Sequence, residues 1–323
     1  MAKKIAITMF VIIILFLAIL FYLGFVSARG EKTIFTVEKG ENFSTVASRL
    51  EEQNLIVSKS LFLFFIRITN SQGKLKAGIY ELSGNDGMFK ILKILKSNSK
   101  NFIKITIPEG NNIKQISNII ADKLKIDKDK FIKIASDKNL EGYLMPETYF
   151  VSPGISEQEL INMMHSEFSK KITPDMYKRA EELKIPFKNI ITMASIIEKE
   201  AVKPEERSVI SAVFYNRLKK NMRLQSCATV LYATGVIKEH LSLEDIKLKS
   251  PYNTYLYLGL PPGPISNPGI QSIKAALYPA NSDALFFVSA GDESHLFART
   301  SKEHVKNKQF VKKKDKNKNK DRN

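Results

Sequence analysis

A single cysteine, Cys227, stands in this chain of 323 residues, so no internal disulfide framework can brace it. Histidine is scarce as well. His165, His240, His295 and His304 are the four present, and none has the H-x-x-x-H or H-E-x-x-H spacing of a zinc hydrolase. A lone cysteine without a neighbouring His pair adds no metal site. The chain has no G-x-S-x-G elbow and no P-loop, which removes the commonest serine-nucleophile and nucleotide-binding signatures. Its glycine-rich run, GLPPGPISNPG, carries prolines that delete backbone N–H donors, so it makes a poor phosphate cradle.

Negative charge is the other shortage. The balance of 50 Lys and Arg against 33 Asp and Glu leaves +17. Much of that excess lies in the tail KNKQFVKKKDKNKNKDRN, which has no periodic apolar face and reads as a disordered basic segment over 307–323. A solubilising tail is the plain reading. Outside a membrane, anionic lipid headgroups or wall polymers are its natural counter-charges, and nucleic acid is not expected.

What the chain does have begins at once. After MAKK comes an uncharged apolar run from Ile5 to Val26, and about 20 such residues cross a hydrocarbon core. Lys3 and Lys4 before it place residues 1–4 in the cytoplasm and the remainder outside. The rival reading is a cleaved signal, with VSA before Arg29, but signal cores usually run only about 7–15 residues. The expectation is a single-pass protein of the inner (cytoplasmic) membrane. A hydrophobic content of 44% is that of a globular protein.

Beyond the span, TIFTVEKGENFSTVASRLEEQNLI reads as an alternating strand, a Lys-Gly turn and a helix. Phe43, Val46, Ala47 and Leu50 fall at helical spacing, with Asn42 or Ser44 as cap. SLFLFFIRIT and MFKILKILKS predict further helices around a strand, KAGIYEL. FIKITIPEGNNIKQISNIIADKL repeats the strand–turn–helix logic over 100–140. A third block, 141–306, opens with LEGYLMPETYFVSPG, read as a loop. It continues with helices over SEQELINMMHSEFSKKI, the region around 187–201, RSVISAVFYNRL and IQSIKAALYP, and a strand at ALFFVSA. The fold class predicted is α+β: a small α+β module at 32–99, a second unit at 100–140 and a larger α+β domain at 141–306.

Two glutamates one residue apart end an apolar helix in ASIIEKEA. At 3.6 residues per turn, Ile190, Ile191, Met193, Ala194, Ile196, Ile197 and Ala201 form a stripe. Glu198 and Glu200 fall on its opposite borders, so periodicity does not choose between them. Acids near a helix C-terminus oppose the macrodipole, and a local cost without local gain points to function. In the Pro/Gly-rich loops, Asn253, Thr254, Tyr255, Tyr257 and Asn267 offer polar groups to a sugar; turn chemistry is the plainer role for each.

In order along the chain, EGYLMPETY, ASIIEKEA, VFYNRL, MRLQS, PYNTYLYLGLPPGPISNPG, SIKAALYP and HLFARTSKEH make the sequence similar to the MltG (YceG-like) family of endolytic murein transglycosylases. The resemblance implies cleavage of the MurNAc–GlcNAc β-1,4 bond of nascent peptidoglycan strands without water, leaving 1,6-anhydro-MurNAc ends. It places the catalytic acid on Glu200 and makes residues 32–99 LysM-like. Along the matched runs it puts Glu198, Glu147, Asn216, Gln225, Tyr252, Asn253, Thr254, Tyr255 and Asn267 among the substrate-binding candidates. Penicillin-binding proteins and other wall-synthesis machinery are the partners it implies. One Glu can carry this chemistry with no metal or cofactor, because the attacking hydroxyl belongs to the substrate. One departure stands out: Cys227 and Ala228 follow Leu224–Ser226 where family members commonly carry Asp-Pro. A non-catalytic glycan-binding scaffold and a two-carboxylate muramidase are the alternative readings.

Overall fold

The computed structural model of the protein describes residues 31–97, 102–236 and 241–320. The expected anchor, Ile5–Val26, lies outside the described residues. Among the described residues no helix is long and apolar enough to cross a membrane. The chain divides into two compact units, with the division at Ile103 and Lys104.

The first unit runs β1 (Lys32–Val37), α1 (Phe43–Glu52), α2 (Lys59–Ile68), β2 (Gly78–Ser83) and α3 (Gly87–Lys96). β1 and β2 pair antiparallel, with Phe35 opposite Tyr80. The alternation in β1 turns Phe35 and Val37 inward. Asn42, not Ser44, caps α1, its side chain accepting from the Thr45 amide at 3.0 Å. The helix buries Phe43, Val46, Ala47 and Leu50, the spacing its sequence displays. Phe62, Phe65, Leu82, Ile91 and Leu95 complete the core.

The second unit holds β3 (Ile103–Thr106), α4 (Ile113–Leu124), α5 (Lys128–Asp137), β4 (Thr148–Val151), α6 (Glu157–Lys171), α7 (Pro174–Glu182) and α8 (Phe187–Glu200). After a 3₁₀ turn at Pro204–Glu206 come α9 (Arg207–Lys219), α10 (Cys227–Thr234), α11 (Leu243–Ile246), α12 (Ile270–Leu277), β5 (Phe286–Ser289), β6 (His295–Ala298) and α13 (Ser301–Lys320). Helix α8 is the hub: every residue from Ile190 to Ile197 is buried, packed on α9 and α12. Ser195 binds the helix to the loop ahead of α12. Its hydroxyl accepts from the Ile265 amide at 3.0 Å, and its carbonyl accepts from the Ser266 hydroxyl at 3.2 Å.

Three expectations change. No boundary separates 100–140 from the block after it, because β3 pairs with β4 and Thr106 meets Thr148 at 3.0 Å. LEGYLMPETYFVSPG, read as a loop, contains that strand β4; its prolines and glycines flank the strand instead of interrupting it. The basic tail continues α13 as far as Lys320. Lysine is a good helix former, and the inner face of the helix finds partners on the β5–β6 hairpin. His304 stacks on Phe286, Asn307 donates to the Phe297 carbonyl, and Lys314 reaches Asp292. A search for apolar periodicity misses a face made of such groups.

Candidate active site

The last turn of α8 carries Glu198 and Glu200 out of the core, roughly 160° apart around the axis at 3.6 residues per turn. Their surroundings differ. Glu198 is bound on both oxygens: Oε1 lies 3.3 Å from the Arg207 guanidinium, and Oε2 accepts from the Gly269 amide at 2.9 Å. The pair is well shielded, with side-chain exposures of 6% for Glu198 and 11% for Arg207. Glu109 also approaches Arg207, at 3.7 Å, and packs over Gly269 so closely that a Cβ there would overlap its carboxylate. Glu198 therefore ties the end of α8 to the start of α9 and to the loop before α12.

Glu200 faces a different set of groups. Its Oε1 accepts from the Ser226 hydroxyl at 2.6 Å, and the Ala228 amide in the first turn of α10 also donates to it. The residue keeps partial exposure, while protein atoms packed around the carboxyl strip water from it. Burial pushes its proton affinity up, against the opposing pull of Ser226, His295, the Ala228 amide and Arg217. The physical result is an acid that holds its proton at higher pH than an ordinary glutamate, beside donors able to receive the carboxylate once the proton leaves.

Arg217 is itself buried. Its Nε donates to the Leu285 carbonyl and its Nη1 to that of Leu224, both at 2.7 Å, and its guanidinium lies over Phe286. Tyr255 meets the Cys227 thiol at 3.0 Å; burial first, then that thiol, then Glu200 raise the phenol's affinity for its proton. Cys227, at the position where Asp was expected, thus borders the Glu200 site through Tyr255. Ala228 contributes through its amide, which a proline could not do.

The other nominated residues divide sharply. Asn267, Asn253, Thr254 and Asn216 spend their polar groups on the protein itself. Asn267 is fully buried. Its oxygen accepts from the Gly142 and Leu144 amides, and its nitrogen donates to the Asn111 carbonyl and to Glu141. Asn253 donates to the Ile246 and Leu248 carbonyls and accepts from the Tyr255 amide. Thr254 receives the Ser226 amide on its hydroxyl and the Gln225 amide on its carbonyl. Asn216 donates to the carbonyls of Ser282 and Ala284. In the folded chain these four side chains bind one segment to another. Thr254 and Asn253 hold the segments that carry Ser226 and Tyr255.

Gln225 remains exposed at a left-handed φ of 53°. Tyr252 packs at a tilt against Tyr232, ring centres 5.0 Å apart. Glu147 sits in an ion pair with Lys171, which holds its carboxyl below the usual range.

Two groups went unnoticed in the sequence. His295 Nδ1 lies 2.7 Å from Glu206 Oε2, and its own amide donates to Oε1 at 2.9 Å. Histidine spacing along a sequence signals metal sites, whereas these two partners are 89 residues apart. Glu141, the first residue of EGYLMPETY, receives the Ile113 amide, the Asn267 side chain and the Tyr232 hydroxyl; burial nevertheless lifts its pKa to about 7. Beside it Gly142 has φ +87°, and a Cβ would meet Pro264 at 2.6 Å, so only glycine fits that turn. Among the described residues no three His, Cys, Asp or Glu side chains converge as metal ligands.

Comparison with known proteins places this arrangement. The model of the YceG-like family matches residues 35–310. A Bacillus subtilis (strain 168) protein named endolytic murein transglycosylase is 34% identical over 301 residues, covering 84% of this chain and 83% of that one. A Streptococcus pneumoniae serotype 2 protein of the same name is 29% identical over 314 residues, covering 84% of this chain and 57% of its own length. The crystal structure of a yceG-like protein from Listeria monocytogenes superposes with a TM-score of 0.59 at 34% identity, over 85% of this chain and 98% of the other.

Proposed function

The chain belongs to the YceG-like family, and from that membership we propose that it is an endolytic murein transglycosylase with Glu200 as its single general acid and base. The observation that carries the assignment is the contrast at the end of α8. Glu198 has both oxygens committed to Arg207 and Gly269. Glu200 is a water-poor acid with one hydroxyl partner and a helix amide beside it.

The reaction follows from those groups. Glu200 donates its proton to the glycosidic oxygen as the bond to the anomeric carbon of MurNAc breaks. The C6 hydroxyl of the same MurNAc attacks that carbon, and its proton passes to the Glu200 carboxylate. A 1,6-anhydro ring closes, the leaving GlcNAc keeps a hydroxyl, and the enzyme returns to its starting state without water. An intramolecular nucleophile removes much of the entropic barrier, so one acid suffices where hydrolysis needs two. Glu198 cannot supply the second across the scissile bond, since it lies on the far border of α8 in an ion pair.

In this reading Ile5–Val26 anchors the chain in the cytoplasmic membrane, and the second unit acts on nascent strands outside it. The first unit, as a LysM-like module, positions glycan, and wall-synthesis proteins such as penicillin-binding proteins supply the strands. The test is mass spectrometry of glycan strands digested by the purified protein. Anhydro-muramyl ends are expected. Reducing muramyl ends would replace the reading with a muramidase, and intact strands with retained binding would replace it with a scaffold.

A further inference from the structure

Ser226 does not use its hydroxyl as its position in the chain suggests. It is the N-cap residue of α10, and a serine there ordinarily turns its oxygen onto an amide of the first helical turn. Ser226 makes no such bond; it donates to Glu200 Oε1 at 2.6 Å. A local cost of that kind needs something to hold it. The residue before it, Gln225, takes a left-handed φ of 53°, a conformation that side chains other than glycine rarely adopt. Its amide is tied to the Thr254 carbonyl at 3.1 Å.

Two threonines hold Ser226 in place. Its amide donates to the Thr254 hydroxyl at 3.0 Å, and the Thr229 hydroxyl donates to its carbonyl at 2.8 Å. The two threonine oxygens lie 2.9 Å apart. A hydroxyl has one proton, and that of Thr229 is spent on the carbonyl, so Thr254 is the donor between them. The bonds run head to tail in a closed ring: Ser226 amide to Thr254, Thr254 to Thr229, Thr229 to Ser226 carbonyl. All three residues are buried, where a missing partner is costly. Both backbone groups of Ser226 are thereby fixed. We propose that Thr229 and Thr254 are positioning residues for the reaction: by clamping Ser226 on both sides of its Cα, they keep its hydroxyl on Oε1 of Glu200, so that Oε2 carries the transferable proton. The inference rests on Glu200 being the acid and base. Released from the ring, Ser226 has the first-turn amides of α10 to turn to, and the proton of Glu200 is no longer confined to one oxygen.

The experiment uses the full chain in detergent with purified glycan strands. It measures kcat and KM per folded molecule for Thr229→Val and Thr254→Val, alone and combined with Ser226→Ala. Valine keeps the branched shape of threonine and deletes the hydroxyl. Each valine variant should lower kcat several-fold, by no more than Ser226→Ala does, with KM near the wild-type value. Thr254→Ser keeps the hydroxyl and should hold the wild-type rate. In the Ser226→Ala background the valine substitutions should lower kcat no further, because the hydroxyl they position is gone. A merely structural pair would cost the same factor with or without that hydroxyl, or would lower only the folded fraction. Either result overturns the inference, as does a Thr254→Ser variant as slow as Thr254→Val. If circular dichroism shows one valine variant misfolded, the other decides, since each opens the ring. With Glu200→Gln inactive, those failures overturn this inference alone. An active Glu200→Gln overturns the reading on which it rests.

Discussion

Replacing Glu141 by glutamine should reverse part of the protein's response to pH. Glu141 stands where the first amide of α4, the Asn267 loop and Tyr232 of α10 meet. Four donors, the Gly142 amide among them, favour its carboxylate, yet burial outweighs them and lifts its pKa from 4.5 to about 7. A shift of that size corresponds to about 3 kcal/mol. The sign follows from proton binding. The folded state holds this proton more tightly than the unfolded chain, so the stability it contributes is full below pH 4.5 and is lost as pH rises through 7. Glutamine has no proton to lose and can keep its oxygen toward Ile113 and Asn267 and its nitrogen toward Tyr232. Chemical denaturation of both proteins, followed by circular dichroism from pH 4 to pH 8.5, gives a difference curve in which other titrating groups cancel. The variant should gain about 3 kcal/mol on wild type between pH 4.5 and pH 7 and stay level beyond. A flat difference would show that the donors balance burial, and one in which wild type gains as pH rises would show that they outweigh it.

Three further outcomes follow from the same geometry. Asn267→Ala abandons two buried amides and a buried carbonyl, so it should cost about 3 kcal/mol or more and lower activity in proportion to the folded fraction, with KM unchanged in what remains. Glu198→Ala leaves Arg207 shielded without its closest anion, which costs about 3 kcal/mol; a fall in Tm with the alkaline limb of the rate profile unmoved is the expected pattern. Ser226→Ala removes the one hydroxyl bound to Glu200, so the alkaline limb should move to higher pH and kcat should fall several-fold, both read from a pH–rate profile.

Much of the first unit was legible because its contacts are periodic. Phe43, Val46, Ala47 and Leu50 declare α1 through spacing alone, and the same holds for Ile161, Met164 and Phe168 on α6. The extent of α8 was legible too, though the helical wheel left Glu198 and Glu200 equal. Their difference lies in partners distant along the chain, Gly269 for one and Ser226 for the other. Asn253 and Asn267 pose a related problem: a sequence displays an amide but not the groups it will satisfy, three for Asn253 and four for Asn267. The His295–Glu206 contact joins a 3₁₀ turn to a hairpin strand, and neither residue announces the other. Helix α13 escaped because its inner face is His304, Asn307 and Lys314, polar groups whose partners only the β5–β6 hairpin supplies.

The central claim is that Glu200, and not Glu198, carries the proton. The most direct measurement is the initial rate of release of anhydro-muramyl ends by Glu200→Gln and Glu198→Gln, each verified as folded. Glutamine preserves size and hydrogen bonding but cannot donate the proton, and general acid–base catalysis contributes about 10²–10⁴-fold. Glu200→Gln should lose at least that factor, while Glu198→Gln keeps most of its turnover per folded molecule. The reverse order of losses, or full activity in Glu200→Gln, would contradict the account.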